Sequence, residues 1–233
     1  MTTSEGENTW SRAAMKTESK ENYIPALGLD FLTPFYDLVV KWTTREKVFK
    51  GKLVEQVEIA SNGRLLDLAC GTATLTVALK RRFPQAEIHG LDGDAKILRI
   101  ARRKAAANGA EINFSEALST ALPYPDEHFD AIVTSLFFHH LTPANKRKTL
   151  GEVFRVLKTG GTLHLADWGK AANILMKAAS QPIVWLDGAT TADSLQGRLP
   201  ELAAGAGFTE IRETANFGTF FGTIRIHKAR KPL

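Results

Sequence analysis

The chain has 233 residues, 30 Lys and Arg against 25 Asp and Glu, and a formal charge of +5. An apolar share of 44% and a charged share of 24% belong to a globular protein with its own core, and exclude bulk disorder, collagen and coiled coil. The single cysteine, Cys70, excludes an intramolecular disulfide and a cysteine-cluster zinc site and fits a reducing, cytoplasmic setting; a charge of +5 permits an anionic partner without demanding one.

Residues 1–22 are polar and lack the apolar stretch of a secretory signal. Their four glutamates argue against a mitochondrial address, and the segment is expected to be a disordered tail. Residues 23–60 are expected to form a helical cap. Thr33-Pro34 is a helix start, and Phe31, Phe35, Leu38 and Trp42 fall on one face of the helix. A second helix is predicted over Arg45 to Ile59; Phe31, Phe35, Trp42 and Phe49 could supply an apolar lid, with a core-facing stripe as the alternative. No run reaches the ~18 apolar residues of a membrane span, which leaves peripheral membrane contact as an option.

From residue 61 to 233, strands and helices alternate. Arg64 to Ala69, Glu87 to Leu91, Ile112 to Phe114, Phe129 to Leu136 and Thr162 to Ala166 read as strands. Helical stretches lie between them, and a turn at Lys158 to Gly161 precedes the fifth strand. Two short helices, Ala171 to Ala179 and Leu199 to Ala206, precede a tail whose alternation predicts two antiparallel strands around Asn216 to Gly218. The pattern implies βαβ units with right-handed crossovers: one α/β domain with a doubly wound, seven-stranded, mostly parallel sheet.

Ligands of such sheets sit at the carboxyl ends of the strands. The first strand ends in Asp67-Leu68-Ala69-Cys70-Gly71-Thr72-Ala73. A dinucleotide fingerprint needs glycines for the pyrophosphate; here the three glycine-equivalent places hold Ala69, Gly71 and Ala73. Asp92 ends the second strand, at the distance where a carboxylate binds a ribose diol. Together these features favour a nucleoside-bearing ligand without a pyrophosphate. A structural turn at Gly71 and an exposed turn acid at Asp92 are the bland alternatives.

Four stretches in order, LLDLACGTATLT, HGLDGD, LPYPDEHFDAIVTSLFFHHL and EVFRVLKTGGTLHLADWG, resemble the successive motifs of class I S-adenosylmethionine-dependent methyltransferases. The likeness runs from about residue 64 to 169 and is strongest to the group that includes ubiquinone- and menaquinone-biosynthesis enzymes. The resemblance implies that Asp67 anchors the methionine ammonium, with a role in capping the turn as its alternative. Ala69, Gly71 and Thr72 would line the methionyl and ribose part, and Asp92 with Gly93 would hold the ribose hydroxyls. Leu118 and Ser119 fall at the adenine position, where relatives often carry an acid; Leu118 could pack on the ring, and Glu116 is a substitute. Ser135 would meet the methionine end, and Tyr36, with Asp37, would cap the cofactor.

The residues after the fourth strand, Phe137, Phe138, His139 and His140, place imidazoles where methyl transfer would occur. His139 or His140 could orient or deprotonate an acceptor, and Asp167 could hold a substrate donor; helix capping, packing and loop satisfaction are the alternatives. No Asp/Asn cluster signals a magnesium site, so no metal is expected. Phe217, Phe220 and Phe221 could close one side of the acceptor site, although such strand residues are usually core. The expected reaction is in-line methyl transfer to a small, apolar or aromatic acceptor. The competing classes are an RNA or protein methyltransferase, supported by the basic runs Lys80 to Arg82, Arg102 to Lys104, Lys146 to Lys148 and Arg225 to Lys231, of which the first three read otherwise as solvated helix faces; a non-catalytic cofactor-binding module; and a nicotinamide dehydrogenase, disfavoured by the glycine count.

Overall fold

The computed structural model describes residues 46–180 and 189–233. The expected tail and the helix start at Thr33, with Phe31, Phe35, Tyr36, Asp37 and Trp42, lie outside the described residues.

The first described helix, α1 (Glu46–Gln56), buries Phe49 and Leu53 completely. Phe49 is therefore a core residue and not part of a lid. Strand β1 (Arg64–Leu68) leads into α2 (Thr74–Arg82), β2 (Glu87–Asp92), α3 (Ala95–Ala107) and β3 (Asn113–Glu116). Asp94 caps α3, accepting from the amides of Lys96 at 2.7 Å and Ile97 at 3.4 Å. Gly109 follows in the left-handed conformation that a C′ position favours. Then come β4 (Phe129–Ser135), a 3-10 turn at Phe138–His140, α4 (Pro143–Val156) and β5 (Leu157–Gly169). Three short helices, α5 (Ile174–Ala179), α6 (Ala189–Leu195) and α7 (Leu199–Gly205), precede the hairpin of β6 (Thr209–Thr219) and β7 (Gly222–Arg230).

The seven strands run in the order β3-β2-β1-β4-β5-β7-β6. β1 to β5 are parallel, while β7 runs antiparallel to both β5 and β6. Helices cover both faces. Leu66, Leu68, Ile132, Leu163 and Leu165 pack with Leu150 and Val153 of α4 and Leu199 of α7. On the other face Leu65, Ile88, Val133 and Ala166 pack with Phe49 and Leu53 of α1 and Leu75 and Leu79 of α2. Each fully buried Leu or Phe contributes about 1.5–3 kcal/mol, so alternate residues of one strand stabilise both layers at once.

Three boundaries differ from the sequence expectation, each for a physical reason. β3 is an edge strand whose register is set by β2, from His89↔Asn113 to Asp92↔Glu116; pairing carries it past the apolar Ile112 to Phe114. β5 starts at Leu157 because Leu157 already pairs with Phe129, and the register then shifts. Lys158 to Gly161 is thus an irregularity within the strand, not a turn before it. The tail turns at Phe220-Phe221, three residues beyond Asn216 to Gly218. Thr219 Oγ1 donates to the Gly222 carbonyl at 2.9 Å and accepts from the Phe221 amide at 3.1 Å. Gly222 sits at φ +129, a conformation that glycine alone adopts readily, and this outweighs the turn composition of Asn216 and Gly218.

Candidate functional site

The carboxyl ends of β1, β2, β4 and β5 form one rim. After β1 the chain takes three left-handed residues in five: Ala69 at φ 57, Gly71 at φ 54 and Ala73 at φ 62. Two of them are alanines, and a left-handed alanine costs roughly 1–2 kcal/mol. Hydrogen bonds hold the turn: the Cys70 amide donates to the Leu91 carbonyl at 2.9 Å, and the Ala73 amide to the Cys70 carbonyl at 3.0 Å. Leu136, directly after β4, is left-handed as well, at φ 53. Three of the five left-handed non-glycine residues described, Ala69, Ala73 and Leu136, therefore stand at this rim, where strain commonly marks a functional site.

Asp92 closes the turn from β2. Its Oδ2 accepts from the Gly71 amide at 2.9 Å and its Oδ1 from the Asp94 amide at 3.0 Å. Each oxygen keeps lone-pair capacity for a further donor. Burial raises the Asp92 carboxyl above its ordinary range, opposed by the Gly71 and Asp94 amides. A Cβ built on Gly71 meets nothing within 4 Å, so the glycine serves the backbone angle and leaves open space above it. Gly93 stands half-buried beside Asp92. Thr72 faces the other way, its hydroxyl accepting from Lys104 of α3 at 2.8 Å.

Asp67 is 1% exposed. Thr76 Oγ1 donates to its Oδ2 at 2.6 Å. Burial pushes the carboxyl up to about 7 against the pull of Thr76 and Lys50, so a cation brought against it would draw off the proton. Cys70 packs beside Gly90, where an added Cβ would come 3.2 Å from its sulfur. Burial pushes its thiol far above the usual range, which leaves packing as its role.

In the segment that the resemblance assigns to adenine, the Ala117 amide donates to the Asp92 carbonyl at 3.2 Å, which holds the segment beside Asp92. Leu118 is 39% exposed. The Ser119 hydroxyl is engaged with Thr149 of α4 at 2.8 Å and is buried. Glu116, at the edge strand's end, is exposed. Ser135 ends β4 half-buried, next to Thr134, whose hydroxyl is buried without a hydrogen-bond partner.

His139 and Asp167 meet. Nδ1 of His139 lies 2.7 Å from Asp167 Oδ1, and the His139 amide donates to Oδ2 at 3.2 Å. The Trp168 amide donates to Oδ1 at 2.7 Å. Burial alone would raise Asp167, but the charge and hydrogen bond of His139, with the Trp168 amide, hold it below the ordinary carboxylate range. An ionised Asp167 needs the proton on Nδ1 and so leaves Nε2 of a neutral His139 as the basic atom. Asp167 is 1% exposed and faces His139, so it positions the ring and does not present itself at the rim. The His140 ring lies 3.9 Å from the His139 ring, tilted 43° to it; burial, then the neighbouring His139, push it down to about 4.

A second polar pair, without a signal in the sequence, lies nearby. Lys146 of α4 is wholly buried and lies 3.7 Å from Asp193 of α6. Asp193 also binds Arg198 at 3.0 Å. The run Lys146 to Lys148 is therefore not one solvated face. α6 itself, ATTADSL, has two β-branched threonines and no helix signal strong enough to find it. It packs on the 3-10 turn that carries the histidines. Phe217 and Phe221 pack on the core face of α1 and α2, and only Phe220, 80% exposed, stands free at the hairpin tip.

Comparison with known proteins agrees with this geometry. A methyltransferase-domain family model matches residues 65–161. A demethylmenaquinone methyltransferase of Thermus thermophilus is 49% identical over 100 residues, 43% of this chain and 44% of that protein. The chain spans about half the length, or less, of the first curated relatives that it matches. An uncharacterized methyltransferase of Synechocystis sp. is 31% identical over 186 residues, 79% of this chain and 84% of that protein. The crystal structure of YcgJ from Bacillus subtilis superposes with a TM-score of 0.66 at 18% identity, over 79% of this chain and 98% of that one. With its fold, its strand order and a relative aligned along most of its length, this chain belongs to the class I S-adenosylmethionine-dependent methyltransferases.

Proposed function

We propose that the chain transfers a methyl group from S-adenosylmethionine to a small-molecule acceptor. The observation that carries the proposal is the tie between the Gly71 amide and Asp92, which joins the strained first turn to the ribose acid beneath open space. The residues present fit the cofactor. Asp92 has acceptor capacity for two hydroxyls, Asp67 is a buried carboxyl that a cation would ionise, and no described residue comes within 4 Å of a Cβ built on Gly71. Bound S-adenosylmethionine supplies an electrophilic methyl on a positively charged sulfur.

In this reading Asp92, with Gly93, holds the ribose, and Ala69, Gly71 and Thr72 shape the turn against the methionyl part. Leu118 covers the adenine, with Ser119 fixing the segment through Thr149. Ser135 faces the reacting end. His139, oriented by Asp167, takes the proton of the acceptor oxygen, nitrogen or carbon at Nε2. His140 stays neutral beside it and spares the site a second positive charge. Holding two reactants in line supplies on the order of 7–11 kcal/mol by proximity, so orientation does most of the work.

Exposed Phe220 on the hairpin and exposed Ile174 and Leu175 on α5 support an apolar or aromatic acceptor. No helix among the described residues is long and apolar enough to cross a membrane. We place the protein in the cytoplasm on its single, buried cysteine. Half-buried Lys104 is bound to Thr72 and Thr74, and Lys146 is buried beside Asp193, which weakens the RNA or protein reading. A screen of small acceptors and cell extracts with methyl-labelled cofactor tests the proposal. Label is expected in a small, apolar or aromatic product; label only in RNA or protein would overturn the reading, and no labelled product despite cofactor binding would favour a non-catalytic module.

A further inference from the structure

The edge of the sheet formed by β5, β7 and β6 carries a cavity of ≈ 440 Å³ that none of the residues assigned above lines. Its polar wall is made by Lys170, Gln196, Arg212, Glu213, Arg225 and His227. Three permanent cations and one histidine thus face a single acid.

That acid is already engaged. Glu213 binds Arg225, and Asn216 Nδ2 donates to it at 2.8 Å. Arg225 also donates from Nε to the Lys170 carbonyl at 2.8 Å, fixing the end of β5 against β7. Lys170 and Arg212 have neither an ion pair nor a side-chain hydrogen bond among the described residues. Elsewhere on the same body cations are commonly matched, as in Lys158–Asp130, Arg198–Asp193 and Arg230–Glu210. His227 Nδ1 adds a buried polar atom without a partner on the same wall.

Backbone packing bounds one side of this open depression. Gly197, at φ +77 between α6 and α7, comes so close to Lys170 that an added Cβ would stand 3.4 Å from the Lys170 Cβ. Pro200 and Ile211 supply an apolar floor. A volume of this size suits a small molecule, and roughly 300–1,000 Å³ is usual for such sites. Cations above an apolar floor suit a molecule with an anionic head and a carbon frame.

We propose that this cavity is a second ligand site, taking a small organic anion whose phosphate or carboxylate is held by Lys170 and Arg212. The proposal does not depend on methyl transfer. Arg225 is the register partner of Asp167 across β5 and β7, so directly opposed side chains share one face. The bound anion therefore lies one strand from the His139–Asp167 pair. It is either the anionic end of the acceptor or a separate ligand.

Titration calorimetry of the full chain with pyrophosphate and with citrate, at constant ionic strength, tests the site. Saturable one-to-one binding of at least one probe is expected. The double variant Lys170→Ala/Arg212→Ala should weaken it by about tenfold or more, as expected for losing charge-assisted contacts. Both side chains lack partners to lose, so S-adenosylhomocysteine affinity should stay the same. Absence of saturable binding, equal binding by the double variant, or displacement of both probes by an RNA hairpin would overturn the proposal. A KM for an anionic acceptor raised about tenfold in the double variant would assign the site to the acceptor's own end. An unchanged KM, with the probe's binding still lost in the double variant, would assign it to a separate ligand; either result sustains the site.

Discussion

The two halves of the rim are built from different material. On the β1–β2 side the site is backbone: Ala69, Gly71 and Ala73 in left-handed conformations, tied through the Gly71 amide to Asp92. On the β4–β5 side it is side chain: His139 held by Asp167, with Lys146 and Asp193 buried behind. A backbone site binds one thing and tolerates little change in angle. A side-chain site can be re-equipped by substitution without disturbing the sheet, so one fold can keep a single cofactor and vary its acceptor.

The comparison breaks most easily at His139. His139→Gln should lower kcat by ~10²–10⁴, the usual contribution of a positioned general base, with S-adenosylhomocysteine affinity unchanged. Asp167→Asn should lower kcat in the same direction while leaving cofactor affinity intact. A loss of cofactor affinity in either variant would show that the two halves are not separable.

A slightly smaller effect is expected at Asp67, and its sign follows from burial. The carboxyl is raised to about 7 in the folded protein from ~3.9 in the unfolded chain. Its protonated form contributes stability that is complete below about pH 4 and lost as the pH climbs through 7. Asp67→Asn should therefore exceed the wild type in stability by roughly 2–4 kcal/mol at pH 8, a difference that fades toward pH 4. Denaturant melts at the two pH values measure it; a difference independent of pH would mean that Asp67 is ionised and satisfied without ligand.

Below that in size stands Asp92→Ala, expected to weaken S-adenosylhomocysteine tenfold or more for lost charged hydrogen bonds of roughly 1.5–3 kcal/mol. The smallest effect belongs to Ala69→Gly. Relief of the left-handed alanine, offset by the freedom glycine gains when unfolded, should leave a gain of up to about 1 kcal/mol. A thermal melt that shows a loss would place the stabilisation of that turn in the alanine methyl.

The geometry of the β1–β2 half of the rim was legible in the sequence because its signals are local. Asp67, Gly71 and Asp92 sit at fixed offsets from strands that their own apolar runs announce. The acceptor half was not, because its partners are distant in the chain. His139 and Asp167 are 28 residues apart, and a run of basic residues gives no hint that Lys146 turns inward while its neighbours do not. The hairpin turn was misplaced because Asn216 and Gly218 carry turn composition, whereas the angle that decides the turn belongs to Gly222. Phe49 shows the same limit: an aromatic on a helix face reads as lid or core until its neighbours are known.

The central claim is that the strained turn and Asp92 form a site for a sulfur nucleoside and not for a dinucleotide. Titration calorimetry of the wild-type chain with S-adenosylhomocysteine and with NAD tests it most directly. Saturable binding of S-adenosylhomocysteine, weakened at least about tenfold by Asp92→Ala, with no binding of NAD, is the predicted result. Binding of NAD without S-adenosylhomocysteine, or an affinity for S-adenosylhomocysteine that Asp92→Ala leaves unchanged, would contradict it.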